Sequence, residues 1–370
     1  ISFQNKFPGE GSVVCVPVYS QEHLETCDIY GYTVVPEDLA LLEETGFLGK
    51  KGTFRSLLTK ESKVLFYGLG KKDELKEPDL YEIGAKLLVE LKALKQKKAV
   101  VLMPASLPQT FSEVSFVANI AYGLKLRTYD FSIYKTSKKE PPFAVEAIDF
   151  VVESASACSD AFQEKECLVE GIQTTLNLVN EPPNILYPET FADRIKELES
   201  YGIKVTVLDE KDLKEKGLNA ILAVGNGSEH KPRLAIMEWT NGPEEEKPLA
   251  FVGKGVTFDT GGISLKPSAR MEEMKYDMTG AAVVTGLMKV LALRNAKVNV
   301  VGLVGLAENS PDGAAYRPSD IIKTYSGQTI EVTNTDAEGR VVLSDVLAYA
   351  EKNYDPKFII DLATLTGAII

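Results

Sequence analysis

Short apolar runs alternate with longer amphipathic stretches along the whole of this chain, and that alternation most constrains its fold. The short runs have the length of β-strands, and the amphipathic stretches have the length of helices. Strands are predicted at 13–18, 63–67, 99–103, 150–153, 204–208, 233–238, 249–252, 298–303 and 358–360, and helices at 80–94, 157–179, 188–201, 280–293 and 341–352. This order is typical of an α/β fold, in which each mostly parallel or mixed sheet is covered by helices.

The length of the chain and one proline-rich joint predict two domains. Its 370 residues are more than one hydrophobic core usually supports, because a domain has roughly 150 residues. Pro182 and Pro183 end the helical stretch before them, because proline cannot continue a helix. We therefore predict an N-terminal α/β domain over 1–155, a linking helix over 156–180 and a C-terminal domain over 181–370. Residues 365–370 are apolar and uncapped, so we expect the C-terminal domain to be incomplete as it stands.

The charge balance argues against several classes of partner. The chain carries 41 Lys and Arg against 53 Asp and Glu, a net charge of −12, which disfavours nucleic acid and anionic lipid. No apolar run reaches the about 18 residues that a membrane span needs, and the first residues lack a signal-peptide pattern. We therefore expect a cytoplasmic protein with no membrane partner. Because the chain begins without Met, a trimmed targeting segment stays an open alternative.

The cysteines and histidines narrow the kind of metal site that is possible. Cys15, Cys27, Cys158 and Cys167 show no Cys-x-x-Cys spacing, so we expect reduced, buried thiols. His23 and His230 are the two histidines, too few for a three-His zinc site, and no His-Glu-x-x-His motif is present. We expect His230 to be a solvated loop residue. Any metal must therefore be bound mainly by carboxylates.

Two polar loops could supply such carboxylates. The first, between Gly253 and Gly280, follows a predicted strand and precedes a predicted helix, which is where α/β sheets form ligand crevices. The second, at 334–340, also opens a helix, and in an extended backbone its two acidic side chains would point the same way. The residues of interest are Lys254, Asp259, Lys266 and Asp277 in the first loop and Asp336 and Glu338 in the second. Clustered carboxylates repel one another unless cations neutralise them. The pattern therefore predicts divalent metal, with two ions that share bridging carboxylates.

Each of these loop motifs, taken alone, also has a simpler structural interpretation. An Asp-x-Glu pair is usually a solvated loop, and an Asp-Thr-Gly-Gly segment can be a turn. The chain lacks the spacing of a Walker phosphate loop, and Gly68-Leu69-Gly70 and Gly225-Asn226-Gly227 lack the third glycine of a dinucleotide fingerprint. Ser264 lies in no nucleophile elbow.

Taken together, the segments 253–280, 334–340 and 363–367 closely resemble the motifs of the leucyl aminopeptidase family, the two-metal cytosol aminopeptidases. Asn-Thr-Asp-Ala-Glu-Gly-Arg at 334–340 is that family's signature. The series Lys254, Asp259, Lys266 and Asp277 matches its ligand loop in order and spacing. Pro-Pro-Asn at 182–184 fits the start of its catalytic domain, so the resemblance covers about half of the chain, and roughly the first 150 residues match only loosely.

The resemblance implies a residue-by-residue site for two divalent ions, Zn or Mn. Asp259 and Glu338 would contact both ions, Lys254 and Asp277 would complete one site, and Asp336 would help to complete the other. Lys254 would have to be neutral to coordinate, and the adjacent divalent charge would lower its pKa. Two further residues are the family's non-ligand catalytic residues: Lys266 would polarise the scissile carbonyl, and Arg340 would hold a bicarbonate ion as general base.

The resemblance further implies an aminopeptidase, a hydrolase that releases N-terminal, preferably leucine-like residues from peptides by attack of a metal-bridging hydroxide. Its substrate-binding positions match Met274, Thr364, Leu365 and Gly367, and its members are hexamers that continue beyond the segment at 363–367. A DNA-binding or scaffold protein on the same fold is one alternative, which the net charge disfavours. Mg-dependent phosphoryl transfer is another, and its Walker-type phosphate cradle is missing.

Overall fold

The computed structural model describes residues 1–8, 12–20, 28–29, 32–33, 36–58, 63–137 and 143–367. The chain divides into two compact units, Ile1–Val169 and Glu170–Ile370. The division falls within the long helix Ala155–Asn180, the region where a linking helix is predicted.

The first unit is built on a six-stranded sheet with helices. Along the sheet the strand order is β1-β8-β7-β2-β6-β5, and all neighbours are parallel except β5 and β6. All seven residues of β2 are buried, as expected for a central strand covered on both faces. The strands are β1 (Ser2–Gln4), β2 (Val13–Tyr19), β3 (Asp28–Ile29), β4 (Tyr32–Thr33), β5 (Phe54–Leu58), β6 (Lys63–Gly70), β7 (Lys98–Val101) and β8 (Ala147–Val151), and β3 and β4 form a separate ladder. The helices are α1 (Pro36–Glu44), α2 (Glu77–Ala93), α3 (Glu113–Leu126) and the part of α4 (Ala155–Asn180) up to Val169, with a 3₁₀ turn at Lys72–Glu74.

The second unit is built on a mixed five-stranded sheet. The order is β15-β11-β12-β10-β9, in which β11 is parallel to β12 and β15, and β10 is antiparallel to β12 and β9. The strands are β9 (Lys204–Leu208), β10 (Arg233–Thr240), β11 (Leu249–Asp259), β12 (Asn299–Asn309) and β15 (Phe358–Leu362), with β13 (Ile321–Lys323) and β14 (Thr329–Glu331) as a hairpin. The helices are α5 (Pro188–Lys196), α6 (Glu210–Lys216), α7 (Asn219–Gly225), α8 (Thr279–Leu293) and α9 (Glu338–Tyr354), with 3₁₀ turns at Glu197–Tyr201, Met271–Tyr276 and Thr335–Ala337. The predicted α/β class is confirmed.

Two strands extend far beyond their predicted ends. β11 continues past Val252 to Asp259, and β12 continues to Asn309. The prediction that the chain leaves its strand before Gly253 is therefore wrong, because Gly253 pairs with Val304 inside the ladder. A Cβ atom on Gly253 would lie 2.6 Å from Cα of Ala281 in α8. Glycine is thus needed here for close approach of helix and strand, not for a turn.

Helix α8 and the 3₁₀ turn before it form one segment, Met271–Leu293, in which a few charged residues interrupt a mainly apolar composition. Among the described residues, this segment alone is long and apolar enough to cross a membrane, with a mean hydropathy of 1.2. Seven residues of α8 are buried, among them Ala281, Val284 and Met288, which pack in the core beside the sheet. Half of the apolar window is buried in this way, so packing inside the unit accounts for part of its apolar composition.

Candidate metal centre

The candidate site lies where β11 and β12 end. Asp259 and Asn309 are the last residues of these strands and are paired in the ladder. Carboxyl ends of neighbouring parallel strands form the edge where α/β sheets bind ligands. The turn that precedes Asp277 and the segment that opens α9 contribute the remaining side chains.

Lys254 is the centre of one group of contacts. Its side chain projects from β11 and is only 2% exposed. Its Nζ lies 2.6 Å from Oδ1 of Asp277 and 2.8 Å from Oε1 of Glu338, and it donates a hydrogen bond of 3.0 Å to the carbonyl oxygen of Thr364. The Thr364 hydroxyl donates to the same Asp277 oxygen at 2.8 Å. Three residues from distant parts of the unit therefore meet around the buried ammonium group of Lys254.

Lys266 is the centre of a second group. Its Nζ lies 2.8 Å from Oδ2 of Asp259 and forms a second ion pair with Oδ1 of Asp336. Asp259, Asp336 and Glu338 each offer a carboxylate oxygen, and these three atoms lie within 4.8 Å of one another. Glu338 belongs to both groups, so the structure brings together all six acidic and lysine residues that the two loops were predicted to contribute.

Hydrogen bonds between the two loops hold this arrangement. The Thr335 hydroxyl donates to the carbonyl oxygen of Gly261 at 2.6 Å and accepts from the backbone N–H of Ser264 at 2.8 Å. The Thr335 N–H donates in turn to the Ser264 hydroxyl at 3.2 Å. Asn309 and Tyr316 both donate to the carbonyl oxygen of Thr335, at 3.0 and 2.8 Å.

Sequence reasoning missed Thr335, Asn309 and Tyr316 as parts of the site. Thr335 lies inside the 334–340 motif, but its role depends on contacts with a loop about 70 residues earlier. A usable signal existed for Asn309, because a polar residue that ends an apolar run marks the carboxyl end of a strand. We find no comparable local signal for Tyr316.

The backbone of the second loop differs from the extended form assumed above. Residues Thr335–Ala337 form a 3₁₀ turn, and Glu338 begins α9. The side chain of Asn334 accepts a hydrogen bond of 2.8 Å from the Asp336 N–H, which stabilises this tight turn. The expected two-residue alternation is therefore wrong, and Asp336 and Glu338 converge because the turn rotates them toward the same point.

Gly339 has a steric role in the site. A Cβ atom at this position would lie 2.6 Å from Cε and 2.8 Å from Nζ of Lys254. Real Cβ atoms do not approach that closely, so only glycine lets the lysine side chain cross the start of α9. The glycine of the 334–340 motif is thus explained by the burial of Lys254.

Electrostatics in the site follow from burial and close pairing. Burial, with the Glu338 charge, raises the pKa of the Asp277 carboxyl to about 8, against the opposing effect of Lys254. Burial tends to lower the pKa of Lys254, but the charges of Asp277 and Glu338 outweigh it and raise that pKa. The pKa of Lys266 is raised in the same way by Asp259 and Asp336. With these carboxylates as neighbours and no divalent ion, both lysines are cations.

Two carboxylate oxygens show that the residues fit a further cation. Oδ2 of Asp277 and Oε2 of Glu338 are buried and accept no hydrogen bond from any described residue. A buried carboxylate oxygen without a donor is costly. Oxygen ligands suit hard divalent ions, and Mn²⁺ and Zn²⁺ also accept a nitrogen ligand such as a deprotonated lysine.

The other predicted site residues lie around this cluster with fewer contacts. Arg340 is exposed in the first turn of α9, and within the described ranges its side chain makes no hydrogen bond or ion pair. Met274 is half-buried, and its carbonyl oxygen accepts a hydrogen bond of 3.3 Å from the Asp277 N–H. Leu365 is 45% exposed and lies beside Gly339. Gly367 is exposed.

The predicted histidine and cysteines lie apart from the acidic cluster. His230 stacks on Tyr187, with ring centroids 3.8 Å apart, and is only partly exposed. Cys15 and Cys158 are buried free thiols, and Cys167 is a half-buried free thiol. His23, Cys27 and the apolar residues 368–370 lie outside the described residues.

Comparison with known families gives two matches. Residues 173–370 match "Cytosol aminopeptidase family, catalytic domain", and residues 37–138 match "Cytosol aminopeptidase family, N-terminal domain". The first match contains every residue of the two groups of contacts described above.

Individual relatives agree with these matches. A "Probable cytosol aminopeptidase" of Wolbachia pipientis wMel is 50% identical over 328 residues, which are 88% of this chain and 64% of that protein. A protein of the same description from Rhodopseudomonas palustris is 46% identical over 333 residues, 89% of this chain and 66% of its own length. The chain thus spans slightly less than two thirds of these relatives. The solved structure "Bottromycin maturation enzyme BotP in complex with Mn" superposes with a TM-score of 0.82 at 28% identity, covering 97% of this chain and 73% of the other.

Proposed function

The chain belongs to the cytosol aminopeptidase family, and from this premise we propose that the protein is a metal-dependent aminopeptidase. It releases N-terminal residues, preferably apolar ones such as leucine, from peptides. The observation that carries this proposal is the convergence of Asp259, Asp336 and Glu338 within 4.8 Å, beside buried carboxylate oxygens to which no described residue donates a hydrogen bond.

The proposed cofactor is a pair of divalent ions, Mn²⁺ or Zn²⁺. The Mn in the BotP complex favours the first of these. When bound, the ions supply Lewis-acid anchors for the free α-amine and carbonyl of the peptide and activate the attacking water. The proposed ligands are Lys254, Asp259, Asp277, Asp336 and Glu338.

The two lysines are assigned different roles because they differ in exposure. The Lys254 side chain is 2% exposed and packed against Gly339, whereas that of Lys266 is 20% exposed. Of the two lysines, Lys266 is therefore the one whose side chain is open to a bound peptide. In the proposed mechanism, the ion pairs of Lys266 with Asp259 and Asp336 break, and both carboxylates are then free to act as metal ligands. The Lys266 ammonium group donates a hydrogen bond to the oxygen of the scissile carbonyl. A cation aimed at this oxygen stabilises the negative charge that develops on it.

Arg340 is proposed to hold a bicarbonate ion as the general base. Its exposed guanidinium has no partner among the described residues, so its donors are available to a planar oxyanion. The proton removed from the attacking water would pass to the anion held by Arg340.

The substrate side chain is proposed to contact Met274, Thr364, Leu365 and Gly367. Met274 and Thr364 are both hydrogen-bonded to Asp277, which links this wall to the metal ligands. The partly exposed apolar surface of Leu365 suits a leucine-like side chain. On the family resemblance alone, we further propose that the enzyme is cytoplasmic and hexameric.

The test is hydrolysis of leucine amide and of matched peptides with free and acetylated N-termini. We expect the chelator-treated protein to be inactive and Mn²⁺ or Zn²⁺ to restore turnover. We expect the acetylated peptide to resist cleavage, because acetylation removes the basic α-amine. Equal rates for the acetylated and free peptides would contradict an exopeptidase.

A further inference from the structure

Asn309 is a buried polar residue for which the proposed function has no role. It ends β12 and is fully buried. Its Nδ2 donates two hydrogen bonds, one of 2.8 Å to Oδ1 of Asp259 and one of 3.0 Å to the carbonyl oxygen of Thr335. One amide nitrogen therefore joins the end of β11 to the loop that carries Asp336 and Glu338.

The orientation of the amide follows from its surroundings. Both partners are acceptors, so the NH₂ group must face them. The Asn309 Oδ1 atom accepts no hydrogen bond from the described residues and packs where a Cβ atom on Gly262 would come within 2.7 Å of it. The residue is thus placed as a double donor, at the cost of an unsatisfied oxygen.

The consequence falls on the Asp259 carboxylate. Its Oδ1 accepts from Asn309 Nδ2 and from the Gly261 N–H, both at 2.8 Å. Its Oδ2 faces Lys266 at 2.8 Å. Rotation of this carboxylate would break two hydrogen bonds at once, so one oxygen is held back and the other is presented to the cluster.

We propose that Asn309 is a positioning residue that holds Asp259 against the loop of Asp336 and Glu338, so that the three carboxylates stand together before a metal ion binds. Their mutual repulsion would otherwise separate them whenever Lys266 moves away. A prearranged ligand set binds its ion more tightly because the ordering cost is already met. This inference rests on the metal-binding part of the proposed function.

Tyr316 provides a matched control. Its hydroxyl donates to the same Thr335 carbonyl oxygen at 2.8 Å and is likewise buried, but no hydrogen bond joins it to Asp259. Tyr316→Phe therefore removes one donor to the loop and leaves the link between Asn309 and Asp259 intact. Asn309→Leu removes both donated hydrogen bonds while it keeps the number and branching of the side-chain heavy atoms.

The experiment measures Mn²⁺ affinity of the metal-free full chain by calorimetric titration, with circular dichroism and thermal unfolding in chelator as folding checks. For Asn309→Leu we expect affinity to fall by about 10- to 100-fold, the usual effect of losing a residue that orients a metal ligand. For Tyr316→Phe we expect a change of less than about threefold. In leucine-amide hydrolysis, Asn309→Leu should require more Mn²⁺ for half-maximal turnover, with KM for the amide little changed at saturating Mn²⁺.

Two results would overturn the inference. The first is a folded Asn309→Leu variant that binds Mn²⁺ as tightly as the wild type does. The second is a Tyr316→Phe variant that loses as much Mn²⁺ affinity as Asn309→Leu does, because the effect would then come from the Thr335 carbonyl alone. If Asn309→Leu fails to fold, the same measurements on Asn309→Ser test the inference by the same criteria. The short serine hydroxyl cannot reach both Asp259 Oδ1 and the Thr335 carbonyl oxygen. If the wild type binds Mn²⁺ without cleaving leucine amide, the proposed function fails, and the affinities still decide the role of Asn309.

Discussion

Single residues in this site differ chiefly in whether they hold charge in place or present it to a ligand. Lys254 is enclosed by Asp277, Glu338 and the Thr364 carbonyl, all within 3.0 Å of its Nζ. Lys266 has two carboxylate partners and a side chain that is 20% exposed. The same residue type is therefore expected to act as a ligand at one position and as a carbonyl donor at the other.

Substitutions should separate these roles. We expect Asp336→Ala or Glu338→Ala to lose bound metal together with turnover, because each removes a ligand oxygen. We expect Lys266→Ala to keep its metal while kcat falls by about 10²-fold or more, the usual cost of losing one donor to a developing oxyanion. Metal content by mass spectrometry beside kcat on leucine amide checks this, and loss of both ions in Lys266→Ala would contradict the division of roles.

Among the secondary-structure elements, α7 depends on a carboxylate that belongs to α9. Leu218 at the N-cap of α7 offers no side-chain cap. Oδ2 of the buried Asp345 accepts hydrogen bonds from the Ala220 and Ile221 N–H groups at 2.7 and 3.2 Å. Its Oδ1 accepts one from the backbone N–H of Tyr325 at 2.7 Å. Asp345 thus joins α7, α9 and the segment before β14.

Asp345→Asn should lower the free energy of unfolding by about 1–3 kcal/mol, because the amide NH₂ must face a backbone donor. Burial raises the pKa of Asp345, although its three backbone donors lower it. Because the folded-state pKa lies above the unfolded one, the folded protein binds the proton more tightly, and this carboxyl favours folding more as pH falls through the folded-state pKa. Denaturant unfolding should show the gap between wild type and variant widening from neutral pH toward about pH 4. A gap that narrows would contradict the sign of this shift.

At the scale of the whole molecule, all predicted metal ligands lie in the unit Glu170–Ile370. Ions bound there stabilise the folded chain by mass action, by about 2.7 kcal/mol per site at one hundred times the dissociation constant. We therefore expect added Mn²⁺ to raise the unfolding temperature in a concentration-dependent way and a chelator to lower it. Thermal unfolding of wild type and Glu338→Ala side by side checks this, since the variant should respond much less. An Mn²⁺ response that is equal in both would place the stabilising ion elsewhere.

Prediction from sequence succeeded where the signal is local. The strands β9 and β10 and the helix α5 with its 3₁₀ continuation to Tyr201 lie close to the predicted ranges, and Gly202 ends that helix with a φ of +86°. Helices α1, α3, α6 and α7 were missed. α6 and α7 have seven residues each, too short for a clear helical period, and eight buried residues make α3 apolar on more than one face.

The sequence by itself determined the α/β class, the family and the kinds of residue in the site, because alternating apolar patterns and the 253–280 and 334–340 motifs are local properties of the chain. Only the tertiary structure decided how those residues meet. It placed Lys254 inside β11 against Asp277 and Thr364, and it brought Asn309 to Asp259 and Thr335. The physical reason is that these contacts join residues 23 to 110 positions apart, and their geometry depends on strand pairing and helix packing that no single stretch of sequence encodes.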